Sequence, residues 1–215
     1  MTIPRSFAAL VALSLAVLAA PTASARPGGG DTIAVARRQA LGSTVTVRGT
    51  VTVPTNAFDP GFAVQEGSAG IYVLDSGDAA RALGDEVQIT GTLVDNFGLL
   101  SIQPSSITAL GRGPHITPDK TDTGAVGEAT EGQLLRLSGH MVGDLFDDSP
   151  FGFKLNIDDG SGPIQIFLFP GSGISTAGLV DGVKIKVVCF SNQFETTFEC
   201  DPRQPADFKV GPGAD

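Results

Sequence analysis

The sequence predicts an all-β chain of two tandem five-stranded Greek-key barrels, each with a short helix between its third and fourth strands. Three observations carry this. The chain has 28 Gly and 14 Pro in 215 residues, with 17% charged residues, a balance that suits short strands and frequent turns. Apolar and polar residues alternate with the period of a half-buried strand in one run after another. The order of those runs, with their glycines, then occurs twice.

The first element has the order of an export signal: Arg5, an apolar run from Phe7 to Ala20, Pro21, and the small residues Ala23-Ser24-Ala25. This predicts a signal peptide over 1–25 with cleavage after Ala25, and a periplasmic or extracellular destination. The run is too short, and too soon ended by Pro21, to favour a membrane span. No later stretch has the make-up of one, so no span is expected after cleavage. With no Cys beside the cleavage site, a lipoprotein signal is not indicated. The formal charge is −9, and Arg5 is the sole charged residue of 1–25, so the exported chain stands at −10. Such a chain repels polyanions at long range and attracts cations. Residues 26–42, opening RPGGGD, read as a flexible N-terminal segment with at most a helical turn around Ile33 to Ala40.

From Ser43, Val45, Val47, Val51 and Val53 fall on one face and Thr44, Thr46, Arg48, Thr50 and Thr52 on the other, with Gly49 breaking the pattern where a coiled first strand would bend. The first copy continues through GFAVQEGSAGIYVLD and LGDEVQITGTLVDNFGLLSIQPSSITALG. The second reads LLRLSGHM, GFKLNIDDGSGPIQIFLF and LVDGVKIKVVCFSNQFETTFECDPRQPADFKVG. Gly49 aligns with Gly139, Gly61-Phe62 with Gly152-Phe153, Gly70 with Pro163, and Gly84-Asp85 with Asp181-Gly182. Ser76 to Leu83 and Ser172 to Leu179 have the composition of one or two helical turns, in the place where a helix closes the bottom of an OB-fold-like barrel. The expected division is barrel 1 over 43–111, a Pro- and Gly-containing linker over 112–130, barrel 2 over 131–211 and a tail over 212–215.

Cys189 ends the fourth run of the second copy and Cys200 the fifth. Antiparallel pairing about a turn near Asn192 brings them opposite or nearly so, within disulfide range. The local sequence offers none of the usual His or Cys spacing of a metal site, so a structural disulfide in an oxidising compartment is expected.

These residues resemble the tandem OB-fold-like segments of exported bacterial proteins, including the accessory segments of secreted endonuclease/exonuclease/phosphatase-class nucleases. The resemblance rests on Gly61-Phe62 and Gly152-Phe153, the Asp159-Gly160-Ser161-Gly162 turn, Leu83-Gly84-Asp85-x-Val87-x-x-x-Gly91, and Glu131-Gly132-x-Leu134-x-Arg136-x-x-Gly139. It spans nearly all of 43–211 and implies a fold; no nuclease domain accompanies it.

Chemistry is sparse. His115 lies in the linker and His140 follows a strand glycine, and no Ser stands in a nucleophile elbow, so no catalytic residues are assigned. The pairs Asp147-Asp148 and Asp158-Asp159 lack the alternating acidic spacing and closing Glu of a calcium loop, and Asp159-Gly160 reads as a turn; no metal or cofactor is expected. What remains is the OB-type face, the outer side of strands two and three with the loops joining strands one to two and four to five. In the first copy it holds Asn56, Phe58, Gln65, Tyr72, Asn96 and Phe97. In the second it holds Phe146, Lys154, Asn156, Gln165, Phe167, Phe169, Asn192 and Phe194. Aromatic rings there stack on bases or sugars, or pack one barrel on the other. The reading is an exported, non-catalytic binding or adaptor protein for an envelope or extracellular protein, a glycan or a small cation. Single-stranded nucleic acid is the alternative, disfavoured by a net charge that shows no basic cluster in sequence.

Overall fold

The computed structural model describes residues 30–211 except Ser76 and Asp78. The expected signal peptide with its cleavage site, residues 26–29 and the 212–215 tail lie outside the described residues. A short helix α1 (Ile33–Ala36) is followed by β1 (Thr44–Val53), β2 (Phe62–Glu66), β3 (Ala69–Val73), β4 (Asp85–Asn96) and β5 (Leu99–Arg112). Then come β6 (Asp119–Lys120), β7 (Leu134–Asp148), β8 (Gly152–Asp158), β9 (Ile164–Leu168), β10 (Lys184–Phe194), β11 (Thr197–Asp201) and β12 (Phe208–Val210).

The first five strands close in the order β1-β2-β3-β5-β4, with β1 pairing β4 antiparallel and β3 pairing β5 in parallel. The second set repeats this as β7-β8-β9-β11-β10, closed by β10 on β7 and with β9 parallel to β11. Two tandem five-stranded OB-like barrels are therefore present, the second widened by β6 beside β7 and β12 beside β10.

Alternation sets each core. Val45, Val47, Val64, Ile71, Val87, Ile89, Leu93 and Ile102 fill barrel 1; Leu135, Leu137, Leu155, Ile157, Ile166, Ile185 and Val187 fill barrel 2 with Cys189 and Cys200. Those cysteines form the expected disulfide, their Cα atoms 5.3 Å apart. Cys200 lies opposite Ser191, so the bridge runs diagonally across the β10–β11 ladder.

The helices expected at Ser76–Leu83 and Ser172–Leu179 do not form among the described residues. Loop partners take the first segment's backbone groups: Thr55 N–H donates to the Arg81 carbonyl, Arg81 N–H to Thr55 Oγ1 and Ala82 N–H to Asp85 Oδ2. The second segment is preceded by a single 3-10 turn, Pro170–Ser172, ended by Gly173 in the left-handed region, and 173–179 carry no helix. Closure comes from elsewhere. Residues 30–42, read as a loose segment, carry α1, whose Ile33 and Ala36 are fully buried in the barrel 1 core. Gly49 makes the room: a Cβ there would sit 3.1 Å from the end of Ile33. Barrel 2 takes Leu179 and Phe208 instead.

The repeat is tighter than its sequence alignment. A Cβ on Gly61 would run into the Val73 carbonyl and the Tyr72 ring, and one on Gly152 into the Leu168 carbonyl and the Phe167 ring. Tyr72 is thereby equivalent to Phe167, and Gly70 to Gln165 rather than Pro163. Gly49 faces Val87 three residues after Gly84, and Gly139 faces Ile185 three residues after Gly182. Gly84 and Gly182, both at positive φ, are the matching turn residues, a shift of one from the sequence alignment.

Candidate ligand surface at the barrel junction

Strand register lays the outer face of barrel 2 out in rows. Val142 faces Asn156, Asn156 faces Gln165, Gln165 faces Glu199 and Glu199 faces Asn192, one row across β7, β8, β9, β11 and β10. The next row holds Phe146 opposite Lys154 and Lys154 opposite Phe167, with Asp201 opposite Phe190 further round. Side chains in such rows stand within direct reach of one another.

The first row and Asp201 form a hydrogen-bonded network. Gln165 Nε2 donates to Glu199 Oε2 at 2.7 Å, and Asn192 Nδ2 donates to Glu199 Oε1 at 3.2 Å and to Asp201 Oδ2 at 2.8 Å. Asp201 is fully buried, and its Oδ1 has no partner. Burial, and then the charge of Glu199, pushes its carboxyl well above the ordinary range; burial likewise raises Glu199. Glu199 accepts from two side chains, Gln165 and Asn192, and Asp201 from Asn192 alone. In the second row Lys154 pairs with Asp148 at 2.7 Å and stands 5.5 Å from the Phe167 ring centre.

The equivalent face of barrel 1 is not open. Gln65 is buried, its Nε2 donating to the Gly67 carbonyl and its Oε1 accepting from Leu134 N–H of barrel 2. Tyr72 is buried, donates to the Asp59 carbonyl and lies 5.9 Å from Phe190; burial raises its phenol. Phe58, half-buried on the loop after β1, packs 4.9 Å from Phe169 and 6.2 Å from Phe190, while Asn56 beside it is exposed at positive φ. Val53, Ala63 and Leu99 complete this small apolar core. Charged clamps flank it. Arg37 donates to Glu131 at 2.8 Å and to the Gly70 carbonyl at 3.0 Å, and Arg203 bridges the Thr52 carbonyl to Asp207. Burial raises the Glu131 carboxyl against the pull of Arg37.

The fourteen residues singled out in sequence thus divide. Phe58, Gln65, Tyr72 and Phe169 serve the seam, and Asn56 stands exposed beside it. Phe97 and Phe194 stack at 5.8 Å where the β4–β5 and β10–β11 tips meet, Gly98 bridging to Phe194, with Asn96 half-buried beside them. Phe146, Lys154, Asn156, Gln165 and Asn192 remain on the open face above Phe167, which is itself buried. Sequence reasoning passed over Phe190, Glu199 and Asp201. The signal was present: once Cys189 and Cys200 point inward, their neighbours must point outward. The acidic pairs considered for calcium tie down turns, Asp159 accepting from Ser161 and from Thr123 of the linker, and Asp147 from Ser149.

No protein-family model matches the chain, and no curated protein matches it. Among solved structures, a murine DNA-binding protein bound to double-stranded DNA aligns over 79% of this chain and 97% of its own, at 12% identity and a TM-score of 0.40. A tetrameric p202 HIN2 aligns over 79% and 92%, at 12% identity and 0.38. A replication protein A heterotrimer bound to single-stranded DNA aligns over 79% and 49%, at 10% identity and 0.35. Likenesses of this size carry no argument about a ligand; the OB-like assignment rests on the strand order and register above.

Proposed function

We propose that the chain is an exported, non-catalytic binding protein in which barrel 2 carries the ligand surface and barrel 1 is its scaffold. The observation that supports this is the contrast between equivalent faces: Ala63, Gln65, Gly70 and Tyr72 are sealed in the seam, whereas Lys154, Asn156 and Gln165 stand in reach of solvent. Half-exposed amides beside the exposed Phe146 ring offer paired donors and acceptors next to a flat apolar surface. Around them the carboxylates Asp148 and Glu199 outnumber Lys154, so the face suits an uncharged or cationic ligand such as a glycan or an amine better than a polyanion. The signal-like N-terminus and the disulfide agree with export, and the resemblance to accessory segments agrees with a role without catalysis.

Single-stranded nucleic acid on this face has Phe146 and Phe194 in its favour and the carboxylates against it. The murine protein and replication protein A are bound to DNA in their structures; for this chain, nucleic acid finds better support on a different flank, considered below. Calorimetric titration of the chain with neutral oligosaccharides, with spermine and with single-stranded DNA at about 50 mM salt tests the reading. The expected result is saturable binding of a neutral or cationic probe, weakened at least about tenfold by Asn156→Ala/Gln165→Ala in a chain whose circular dichroism shows the fold retained. Binding of single-stranded DNA alone, lost in that variant, overturns it.

A further inference from the structure

The chain is acidic overall, at −9, yet one flank of barrel 2 is basic. Along β7, Leu135, Leu137 and Gly139 point into the core, which turns Arg136, Ser138 and His140 outward; along β10, Ile185 and Val187 point in, which turns Lys184, Lys186 and Val188 outward. Register joins them across four adjacent strands. Lys209 faces Lys186, Lys186 faces Ser138, Lys184 faces His140, Val188 faces Arg136, and Arg136 faces Lys120. Strands about 4.8 Å apart make this a patch about 14 Å across.

Two features set the patch apart from an ordinary solvated face. Lys186–Lys209 and Arg136–Lys120 are like charges directly across a ladder, an arrangement that costs stability. Among the described residues Lys120, Arg136, Lys186 and Lys209 have no ion pair, and the carboxylate in register on this flank is Asp158, opposite His140. The equivalent positions of barrel 1 show the neutral solution: Thr46 bonds Thr90 at 2.8 Å, and Arg48 is paired with Glu86 through two bonds of 2.7 Å. Where barrel 1 cancels its charge, barrel 2 accumulates it.

The geometry points to this flank as a docking surface for the phosphate backbone of double-stranded nucleic acid, read without regard to sequence. Opposed like charges are relieved by an anion lying across them, and a duplex presents phosphates at the density to do so. The patch carries no Phe, Tyr or Trp among its outward residues, so it lacks the stacking platform of large rings that single strands use. At about 0.1 M salt charges beyond about 10 Å are screened, so the local patch, rather than the remote acidic surface, governs contact. This inference is independent of the ligand proposed for the junction.

Fluorescence anisotropy of the whole chain with a labelled 20-base-pair duplex across a salt series tests it. The expected slope of log affinity against log salt is about −3.6 for contacts by Lys120, Arg136, Lys186 and Lys209. Lys186→Gln/Lys209→Gln and, separately, Lys120→Gln/Arg136→Gln should each flatten it by about 2, with the thermal midpoint at low salt held or raised. Asn156→Ala/Gln165→Ala should leave duplex binding unchanged. No duplex binding at low salt, tighter binding of a single strand of equal length, or binding indifferent to the flank variants overturns the inference. So does the finding that the flank variants abolish binding to phosphatidylserine vesicles, or self-association seen by ultracentrifugation, in a chain that ignores DNA.

Discussion

At four positions matched by register, barrel 1 carries Ala63, Gln65, Gly70 and Tyr72, and barrel 2 carries Lys154, Asn156, Gln165 and Phe167. The backbone is the same and the outcome is opposite. Gly70 lets the backbone of barrel 2 approach until Gly132 lies where a side chain would stand, and Gln65 gives Leu134 N–H an acceptor as it loses water. Barrel 1's face thereby becomes core. The charged and amide residues of barrel 2 keep the same pleated surface wet. With the face of one barrel buried in the seam, the equivalent face of the other stays open to solvent.

That asymmetry can be broken from the seam. Arg37→Ala removes the partner of Glu131, whose side chain is 1% exposed, and stranding a buried charge typically costs about 3–5 kcal/mol. Urea unfolding should show this loss; a cost below about 1 kcal/mol, the range of surface pairs, would mean that the clamp does not hold the seam. Next in size is the disulfide, which closes a loop of sequence separation 11. Cys189→Ala/Cys200→Ala should cost about 3 kcal/mol by loop entropy, and hydrogen exchange should place the loss in barrel 2. Equal loss of protection in β1 to β5 would show that the barrels unfold as one unit.

Strands, barrel count and disulfide were legible because each follows from a period of two or a turn glycine, which local sequence encodes. The short closing helices were not, since Arg81 N–H finds its acceptor in Thr55, 26 residues away and beyond any local window. The seam was half legible. Rings at Phe58, Tyr72 and Phe169 stood out, but which of them would be buried depended on Gly70, a residue that reads in sequence only as a turn. The basic flank was present as alternation in Lys184-Ile185-Lys186 and Leu135-Arg136-Leu137; its coherence appears only when register sets four strands side by side.

Exchanging the matched residues sharpens the comparison. Gly70→Gln places barrel 2's side chain against the Gly132 carbonyl and should cost about 1–3 kcal/mol by overpacking, whereas Gln165→Gly on the open face should cost under about 1 kcal/mol. Equal costs would show that Gly70 does not govern the approach. A smaller effect follows from the carboxyls. Asp201, Glu199 and Glu131 are all raised, first by burial. Such a group keeps its proton in the folded chain where the unfolded chain has lost it. Its stabilisation is therefore full below the ordinary carboxylate range and is lost as pH rises through the raised value. Stability should fall from mildly acid to neutral pH. Asp201→Asn, close to the shape of the protonated acid, should flatten that fall and raise the midpoint at neutral pH by roughly 2–4 °C; a lowered midpoint there would mean that the charged form of Asp201 is the one the fold needs.

The smallest expected effect concerns the tips, where the two barrels contribute equally. Phe97 and Phe194 stack, yet they are 67% and 53% exposed, so the contact removes little apolar surface from water. A double-mutant cycle with Phe97→Ala and Phe194→Ala should give a coupling of about 0.5 kcal/mol, the low end for aromatic pairs. Rings left this open at so small a gain in stability are available for another use. They border the open face of barrel 2 through Asn192 on the same strand, so binding of the oligosaccharide or polyamine probe should weaken in Phe194→Ala by more than the folding energy changes. If binding holds and the coupling instead exceeds about 1.5 kcal/mol, the pair is a structural latch between equal partners, and the division of labour between the barrels stops at their tips.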